Sequence, residues 1–346
     1  MPEPIMELKN LVKEYDTKRG RIRAADDVSL TMHKGDILCL VGESGSGKTT
    51  VARSAAGMIH PTAGQVIFEG QDIAHMSKAE FKQYRKAVQI IHQDPYASLN
   101  PVHTIGDTLR APLLHHKLVG SRREATAKAG ELLELVDCRP VENFIDKFPH
   151  QLSGGQRQRI SIARAMTLNP RMIIADESVS MVDVSIRVSL LNTLLKLRND
   201  LGVTFLFITH DLAVVKYFAW EGRVGVMYVG KLIEYGRTPQ IIGRSLHPYT
   251  RALAAAIPEA DPDLTRSKKK LHLRSLDIPN LTNLPSGCVF HPRCTFWEQG
   301  LCDTQVPPLV DVGNGREVAC HVVVRDIQEG GDGVSLLERG MSSAAD

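Results

Sequence analysis

The chain has 346 residues, of which 43% are hydrophobic and 23% charged, and its formal net charge is +3. This length allows one large domain and a smaller one, and the small charge argues against a nucleic-acid partner. Neither an apolar run of the about 20 residues that span a bilayer nor the pattern of a signal peptide is seen, so we expect any pore to come from another chain.

The apolar pattern of the first half predicts strands, then a helical region. Residues 5–40 look like short strands and turns that end in a buried strand at 36–41. A glycine-rich loop leads into a helix over 48–59, and residues 65–92 again look like strands. From 95 to 149 the pattern is helical.

The second half predicts alternating helices and buried strands. A helix over 157–166 precedes a strand at 172–175, and a long amphipathic helix then ends at Gly202. A strand at 203–208 and a hairpin over 224–235 follow. This alternation is typical of a parallel sheet that is covered by helices on both faces.

Beyond about Leu246 the pattern fades. Residues 256–286, rich in proline, lysine and polar groups, predict a linker into a separate C-terminal extension. We interpret the basic run Arg266–Lys270 as a solvated linker, with binding to anionic lipid headgroups as the alternative. The last twenty residues are predicted to be disordered.

The stretch Gly42–Thr49 matches the P-loop pattern G-x-x-x-x-G-K-[ST], between a predicted strand and a helix. Its backbone N–H groups and the helix N-terminus favour phosphate oxygens, Lys48 would neutralise the β- and γ-phosphates, and Thr49 would bind Mg²⁺. A glycine-rich turn with a chance lysine is the alternative. The candidate nucleotide-binding residues are Gly42, Ser44, Gly45, Ser46, Gly47, Lys48, Thr49 and Thr50.

An acidic pair ends the buried strand at 172–175. Asp176 is placed to hold Mg²⁺, and Glu177 is placed to polarise the attacking water or accept its proton. The alternative is a surface acidic pair that only closes the strand.

The stretch Leu152–Gln156 reads Leu-Ser-Gly-Gly-Gln and directly precedes a predicted helix. Ser153 and the two glycine amides would form a second anion-binding surface there, and an ordinary N-cap is the alternative. All five positions resemble the signature of ABC ATPases. In that family ATP lies between the P-loop of one subunit and the signature of the other, so the resemblance adds the nucleotide contacts Ser153, Gly154, Gly155 and Gln156.

The resemblance implies further roles. Gln93 matches the glutamine of the Q-loop that contacts Mg²⁺, His210 matches the switch histidine that contacts the γ-phosphate, and Ser180–Asp183 occupies the D-loop. Tyr15 matches the aromatic residue that stacks on adenine, although a core tyrosine is the alternative. Ser178 stands where the family commonly has proline, and Met181-Val182 stands where it has Ala-Leu; neither departure removes a charged or catalytic group.

The resemblance also implies an architecture. We expect an α/β P-loop (RecA-like) core with an antiparallel β subdomain and an α-helical subdomain at about 95–165. The nucleotide-binding domain would cover 1–246, and a cysteine-containing C-terminal extension would cover 247–346.

Three stretches, 93–101, 247–250 and 287–294, resemble the oligopeptide, dipeptide and nickel importers. This implies an ATPase subunit bound peripherally at the cytoplasmic face of the cell membrane. Its partners would be two transmembrane permease subunits, a second nucleotide-binding subunit, typically a different chain, and indirectly an extracellular solute-binding protein. Three alternatives stay open: an oligosaccharide importer, a soluble ABC ATPase of DNA repair or translation, and a subunit that binds ATP without hydrolysing it.

Four cysteines lie close together in the extension, at Cys288, Cys294, Cys302 and Cys320. Their spacing lacks the C-x-x-C pairs of structural zinc sites, whereas four thiolates can hold an iron–sulfur cluster without one fixed spacing. Buried free thiols and a zinc site with His291 or His321 are the alternatives. Some relatives of the dipeptide group carry a [4Fe–4S] cluster here, so the resemblance favours the cluster.

Overall fold

A computed structural model describes residues 3–18, 20–257, 270–271, 273–339 and 341–342, which leaves most of the basic run 266–270 outside the described residues. The strands are β1 (Pro4–Thr17), β2 (Gly20–His33), β3 (Ile37–Val41), β4 (Ala63–Phe68), β5 (Gln71–Asp72), β6 (Val88–Ile91), β7 (Met172–Asp176), β8 (Thr204–Thr209), β9 (Arg223–Tyr228), β10 (Lys231–Arg237), β11 (Lys270–Leu271), β12 (Val310–Asp311), β13 (Glu317–Val318) and β14 (Met341–Ser342).

The helices in the same ranges are α1 (Lys48–Ala55), α2 (Lys78–Ala87), α3 (Pro95–Ser98), α4 (Ile105–His115), α5 (Arg122–Leu135), α6 (Glu142–Ile145), α7 (Gly154–Met166), α8 (Val184–Leu201), α9 (Leu212–Phe218), α10 (Thr238–Gly243), α11 (Pro248–Ala255), α12 (His321–Gln328) and α13 (Val334–Glu338). None of these helices combines the length and the apolar character that crossing a membrane requires.

The main sheet has the strand order β12-β13-β10-β9-β3-β8-β7-β6. The five strands from β9 to β6 run parallel, and β10 returns antiparallel to β9. The side chains of β3, β7 and β8 are all buried, as expected of parallel strands that helices cover on both faces. The predicted α/β core is therefore confirmed.

Alternate residues of β3 face two different hydrophobic cores. Ile37, Cys39 and Val41 pack towards the helices of the middle of the chain. Leu38 and Leu40 pack towards a second, antiparallel sheet of order β2-β1-β4-β5. This period of two places the predicted antiparallel β subdomain, together with α1 and α2, on one side of β3 and the helices from the middle of the chain on the other.

Helices α3 to α7 lie between Pro95 and Met166, the region in which the sequence predicts a helical subdomain. The strand-like interpretation of 65–92 is wrong in its middle, where α2 forms. Ser77 and Glu80 cap that helix reciprocally, and its Tyr84 is buried against Phe68, with ring centroids 5.1 Å apart. The helix was not predicted because strand-like apolar runs stand on either side of it in the sequence.

The C-terminal extension is built onto the main sheet and does not stand apart from it. Strand β13 pairs with β10, and β12 pairs with β13. Fully buried Glu234 of β10 forms an ion pair with Arg316 at 2.8 Å. Glu234 also accepts hydrogen bonds from the backbone N–H groups of Leu246 and His247. A buried carboxylate thus joins the core to the extension.

The tail is more structured than its composition suggests. Helix α13 falls within the last twenty residues, and its Val334 and Leu337 are buried in a small cluster with Leu246 and Val318. The prediction of disorder therefore does not hold for that helix. Residues 340 and 343–346 lie outside the described residues.

Candidate active site

The predicted site residues follow the carboxyl ends of neighbouring parallel strands. The P-loop follows β3, Asp176 ends β7 with Glu177 next to it, His210 follows β8, and Gln93 lies just beyond β6. Since β6, β7, β8 and β3 are adjacent and parallel, these residues meet at one edge of the sheet. Ligands of open α/β sheets bind at such an edge.

The P-loop needs glycine where it turns into α1. Gly47 has a φ of 100°, and a Cβ atom there would lie 2.1 Å from the carbonyl oxygen of Ala24 in β2. Only glycine combines this backbone conformation with so close an approach. The loop is thereby held against β2, with its end at the N-terminus of α1.

Lys48 is held inside the curve of the P-loop. Its ammonium donates to the carbonyl oxygens of Gly42 at 2.8 Å and Glu43 at 2.9 Å, and to the hydroxyl of Ser46 at 3.3 Å. The residue is only 4% exposed, and burial lowers the pKa of its amine. These contacts place a cation at the phosphate-binding loop.

Thr49 and Asp176 form an oxygen-rich pair at the start of α1. The Thr49 hydroxyl donates to Oδ1 of Asp176 at 3.1 Å, and burial raises the pKa of this carboxyl. Hydroxyl and carboxylate oxygens are ligands that Mg²⁺ prefers. This donor set therefore fits Mg²⁺.

Glu177, which follows β7, contacts the residues that follow the neighbouring strands β6 and β8. Gln93 Nε2 donates to Glu177 Oε2 at 3.1 Å, and His210 Nδ1 lies 3.5 Å from Glu177 Oε1. Glu177 has a φ of 46°, a left-handed conformation that is costly for a residue with a side chain. The structure thus brings the three predicted catalytic residues together around one carboxylate.

The signature stretch lies on a different element, at the start of α7. Ser153 Oγ accepts from the Gln156 N–H at 3.2 Å, and Gln156 Oε1 accepts from the Ser153 N–H at 2.9 Å. This capping box leaves Gly154 exposing backbone at a helix N-terminus, while Gly155 packs closely on Ile186. Within the stretch Ser153 is exposed, whereas Leu152 and Gly155 are buried.

Tyr15 lies on β1, opposite Ile22 of β2, and is 38% exposed. A cavity of about 240 Å³ is lined by Ile22 and by the P-loop residues Ser44, Gly45 and Ser46. Tyr15 pairs with one residue of the cavity lining, Ile22, and its adenine-stacking role stays a prediction. Thr50 lies within α1, where its carbonyl accepts from Ser54.

Sequence reasoning missed the contacts of Glu43, the second residue of the P-loop. The Arg293 guanidinium of the extension donates to both carboxylate oxygens of Glu43, at 2.7 and 3.0 Å. The Glu43 N–H donates to the hydroxyl of Tyr249 at 2.8 Å. Both partners are far from Glu43 in sequence, so no local pattern could have indicated them.

The four tail thiols are close enough to affect one another. Burial raises the pKa of Cys294, and the nearby Cys320, Cys288 and Cys302 raise this pKa further. Burial also raises the pKa of Cys320 to about 12, and the Cys288 N–H donates to the Cys302 carbonyl at 2.8 Å. In the described part of the chain, however, no three cysteine, histidine or acidic side chains are arranged to hold a metal ion.

Two family models match the chain. Residues 25–180 match a model described as ABC transporter. Residues 233–302 match a model described as the oligopeptide/dipeptide transporter, C-terminal region.

Curated relatives match nearly end to end. The oligopeptide transport ATP-binding protein AppF of Bacillus subtilis is 40% identical over 92% of this chain and 98% of its own. A peptide import ATP-binding protein of Brucella ovis is 45% identical over 92% of this chain and 97% of its own. A peptide ABC transporter ATP-binding protein of Sinorhizobium fredii is 42% identical over 93% of this chain and 91% of its own.

Solved structures match the core. The dimeric ATP-binding cassette MJ0796, bound to ADP and phosphate, has a TM-score of 0.61 and 28% identity, covering 67% of this chain and 98% of that one. The cbiO1 protein of Clostridium perfringens shares the fold. Its TM-score is 0.61 at 22% identity, and the match covers 70% of this chain and 91% of that one.

Proposed function

The chain belongs to the ABC transporter family of ATPases, in the branch that carries the oligopeptide/dipeptide C-terminal region, and from this premise we propose that it powers the import of peptides across a membrane. One observation carries the proposal more than any other. Glu177 accepts a hydrogen bond from Gln93 and lies beside His210, at the sheet edge that holds the P-loop.

ATP hydrolysis follows from these placements. The P-loop amides and Lys48 bind the phosphates, and Thr49, Asp176 and Gln93 would hold Mg²⁺, which neutralises charge on the β- and γ-phosphates when bound. Water attacks the γ-phosphorus and the bond to the β-phosphate oxygen breaks, while Glu177 polarises the water or takes its proton. His210 contacts the γ-phosphate.

A second nucleotide-binding subunit completes the site by placing its own signature opposite this P-loop. Beside the site, the D-loop region exposes apolar side chains: Met181 is 64% exposed and Val184 72%. Uncovered apolar residues at one place are typical of an interaction surface. We propose that this face meets the partner subunit, a different chain, and that Tyr15 stacks on adenine.

The permease contact is proposed for the helical region. A groove of about 770 Å³ is lined by Asn100, Asp107, Ala111, Pro112, His115 and Arg164. Its lining begins at Ser98, five residues after the Q-loop residue Gln93, so a movement of Gln93 on ATP binding would be passed to it along the chain. We propose that two transmembrane permease subunits dock here, which places the chain at the cytoplasmic face of the membrane, and that an extracellular solute-binding protein delivers the solute.

The peptide substrate is inferred from the relatives, which are named for peptide or oligopeptide transport. Uptake by vesicles that contain the complete complex tests this: labelled oligopeptide should accumulate only with ATP on the side of this subunit. Accumulation of an oligosaccharide or nickel instead would reassign the solute. Absence of any transport, together with co-purification of nucleic acid, would favour the soluble ABC ATPase.

We also propose that the tail thiols can bind a [4Fe–4S] cluster, on the support of three thiols, Cys288, Cys294 and Cys320, whose pKa values neighbouring tail cysteines help to raise. Against it stands the lack of any group of three metal ligands in the described residues. Anaerobic purification followed by visible absorption and iron analysis tests the proposal. Iron that a Cys294→Ser substitution removes would support the cluster, and protein without iron or with zinc would contradict it.

A further inference from the structure

The C-terminal extension lies against the outer side of the P-loop. The cavity beside Ser44, Gly45 and Ser46 is also lined by residues 278–281 of the extension. Tyr228 of β9 lines the same cavity and stands between the sheet and the extension. The extension and the P-loop, which are far apart in sequence, therefore line the same cavity.

Arg293 makes the strongest of these contacts. Its two-pronged pairing with the Glu43 carboxylate is the geometry that gives charge-assisted hydrogen bonds their specificity. Arg293 is only 4% exposed, and it also donates to the Tyr228 hydroxyl at 3.3 Å. The Arg293 side chain is shielded from water while the Glu43 side chain is 27% exposed, so the buried guanidinium depends on this pairing.

Glu43 is also tied to the phosphate-binding lysine. Its carbonyl oxygen accepts from Lys48 at 2.9 Å, while its N–H donates to Tyr249. A shift of Glu43 would therefore move an acceptor of Lys48. In addition, a bare carboxylate in a loop that binds polyphosphate would repel the ligand.

We propose that Arg293 is a positioning residue for nucleotide binding: it neutralises Glu43 and holds that carboxylate away from the phosphates. The inference rests on the proposed function, since it concerns the same ATP site. It makes the C-terminal extension a part of the nucleotide site. The competing explanation is that Arg293 only anchors the extension to the core.

The two explanations differ when both charges are removed. In the full-length chain, Arg293→Gln leaves Glu43 unpaired beside the phosphates, and we expect it to weaken binding of a fluorescent ATP analogue about tenfold. Adding Glu43→Gln removes the repulsion, so the affinity of the double variant for the analogue should be within about threefold of that of the original chain. Arg293→Lys, which keeps the positive charge, should lose less affinity for the analogue than Arg293→Gln. The matched control is Arg325→Gln, which breaks the exposed pair with Glu298 inside the extension and should leave affinity unchanged.

Each outcome decides between the two explanations. If Arg293→Gln binds the analogue as tightly as the original chain, or if the double variant binds as weakly as the single one, Arg293 is an anchor and the inference fails. Loss of folded signal in circular dichroism for the single and double variants alike would also make it an anchor. If the unaltered chain binds no nucleotide, the proposed function fails before the inference is reached.

Discussion

The amide of Gln93 donates a hydrogen bond to the carboxylate of Glu177 at 3.1 Å, across the ends of the adjacent strands β6 and β7. Gln93 lies two residues before the start of the helical region, which begins with α3 at Pro95. The group assigned to polarise water is therefore bonded directly to the point where the helical region joins the core. A movement of that region would reach Glu177 through one hydrogen bond.

Replacing Glu177 by glutamine should stop turnover without preventing nucleotide binding. The substitution keeps the size of the side chain but removes the proton acceptor, so we expect steady-state ATPase activity of the membrane complex to fall about 100-fold or more. Glu221→Gln, at an exposed residue, is the control. Unchanged turnover would mean that the partner subunit hydrolyses ATP and that this chain binds ATP as a regulator.

Asp176→Asn should affect activity and stability in opposite directions. Burial raises the pKa of Asp176 in the folded chain, so the folded state binds the proton more tightly than the unfolded state, and its ionised form costs stability above the folded pKa. The asparagine variant should therefore melt at a higher temperature at neutral pH, and this gain should shrink as the pH falls through the folded pKa.

The same variant should lose Mg²⁺-dependent hydrolysis, because a neutral amide is a poorer ligand for the ion. The exposed Asp146 gives the control Asp146→Asn, which should change neither property. An Asp176→Asn chain that melts lower than the original at neutral pH would contradict the sign of the argument.

Gly47→Ala should disrupt the phosphate site. The added methyl group would lie 2.1 Å from the Ala24 carbonyl oxygen, so the loop or β2 has to shift, and we expect nucleotide binding to be lost. Gly70→Ala is a matched control, because Gly70 also has a positive φ of 82° but has open space around its Cβ position. It should cost about 1–2 kcal/mol of stability and leave binding intact. Retained nucleotide affinity in Gly47→Ala would show that the contact can relax.

Arg316→Ala should destabilise the whole chain. It leaves the fully buried Glu234 without its ion-pair partner, which costs about 3–5 kcal/mol in the free energy of unfolding. Arg244→Ala, which breaks the exposed pair with Asp332, should cost at most about 1 kcal/mol. Urea denaturation of both variants measures the difference, and equal midpoints would show that the buried pair contributes little.

Much of the core could be predicted because its signals are local. The P-loop, the strand before it and the acidic pair after β7 each occupy a few consecutive residues, and parallel strands bring their ends together by topology alone. The glycine at Gly202 ends α8 with a φ of 67°, as its position suggests. The hairpin of β9 and β10 likewise turns at Gly230.

What sequence reasoning missed depends on contacts between distant residues. Helix α2 was obscured because Phe81 and Tyr84 serve the same core as the strands on either side. The extension looked separate because only three-dimensional pairing shows that β13 continues the main sheet from β10. Arg293 stood in a stretch noted for its cysteines and for its family resemblance, and nothing near it in sequence points to Glu43.

The pairing of β10 with β13 also has a consequence for biosynthesis. Strand β10 leaves the ribosome well before its neighbour β13, and it carries Glu234, whose counter-ion Arg316 directly precedes β13 in the chain. Until then the nascent chain has an open sheet edge and a carboxylate that lacks its ion-pair partner. Since domains fold from the N-terminus during synthesis, we expect the ATPase core to stay an incomplete intermediate, open to chaperones and proteases, until the chain has been made through Val318.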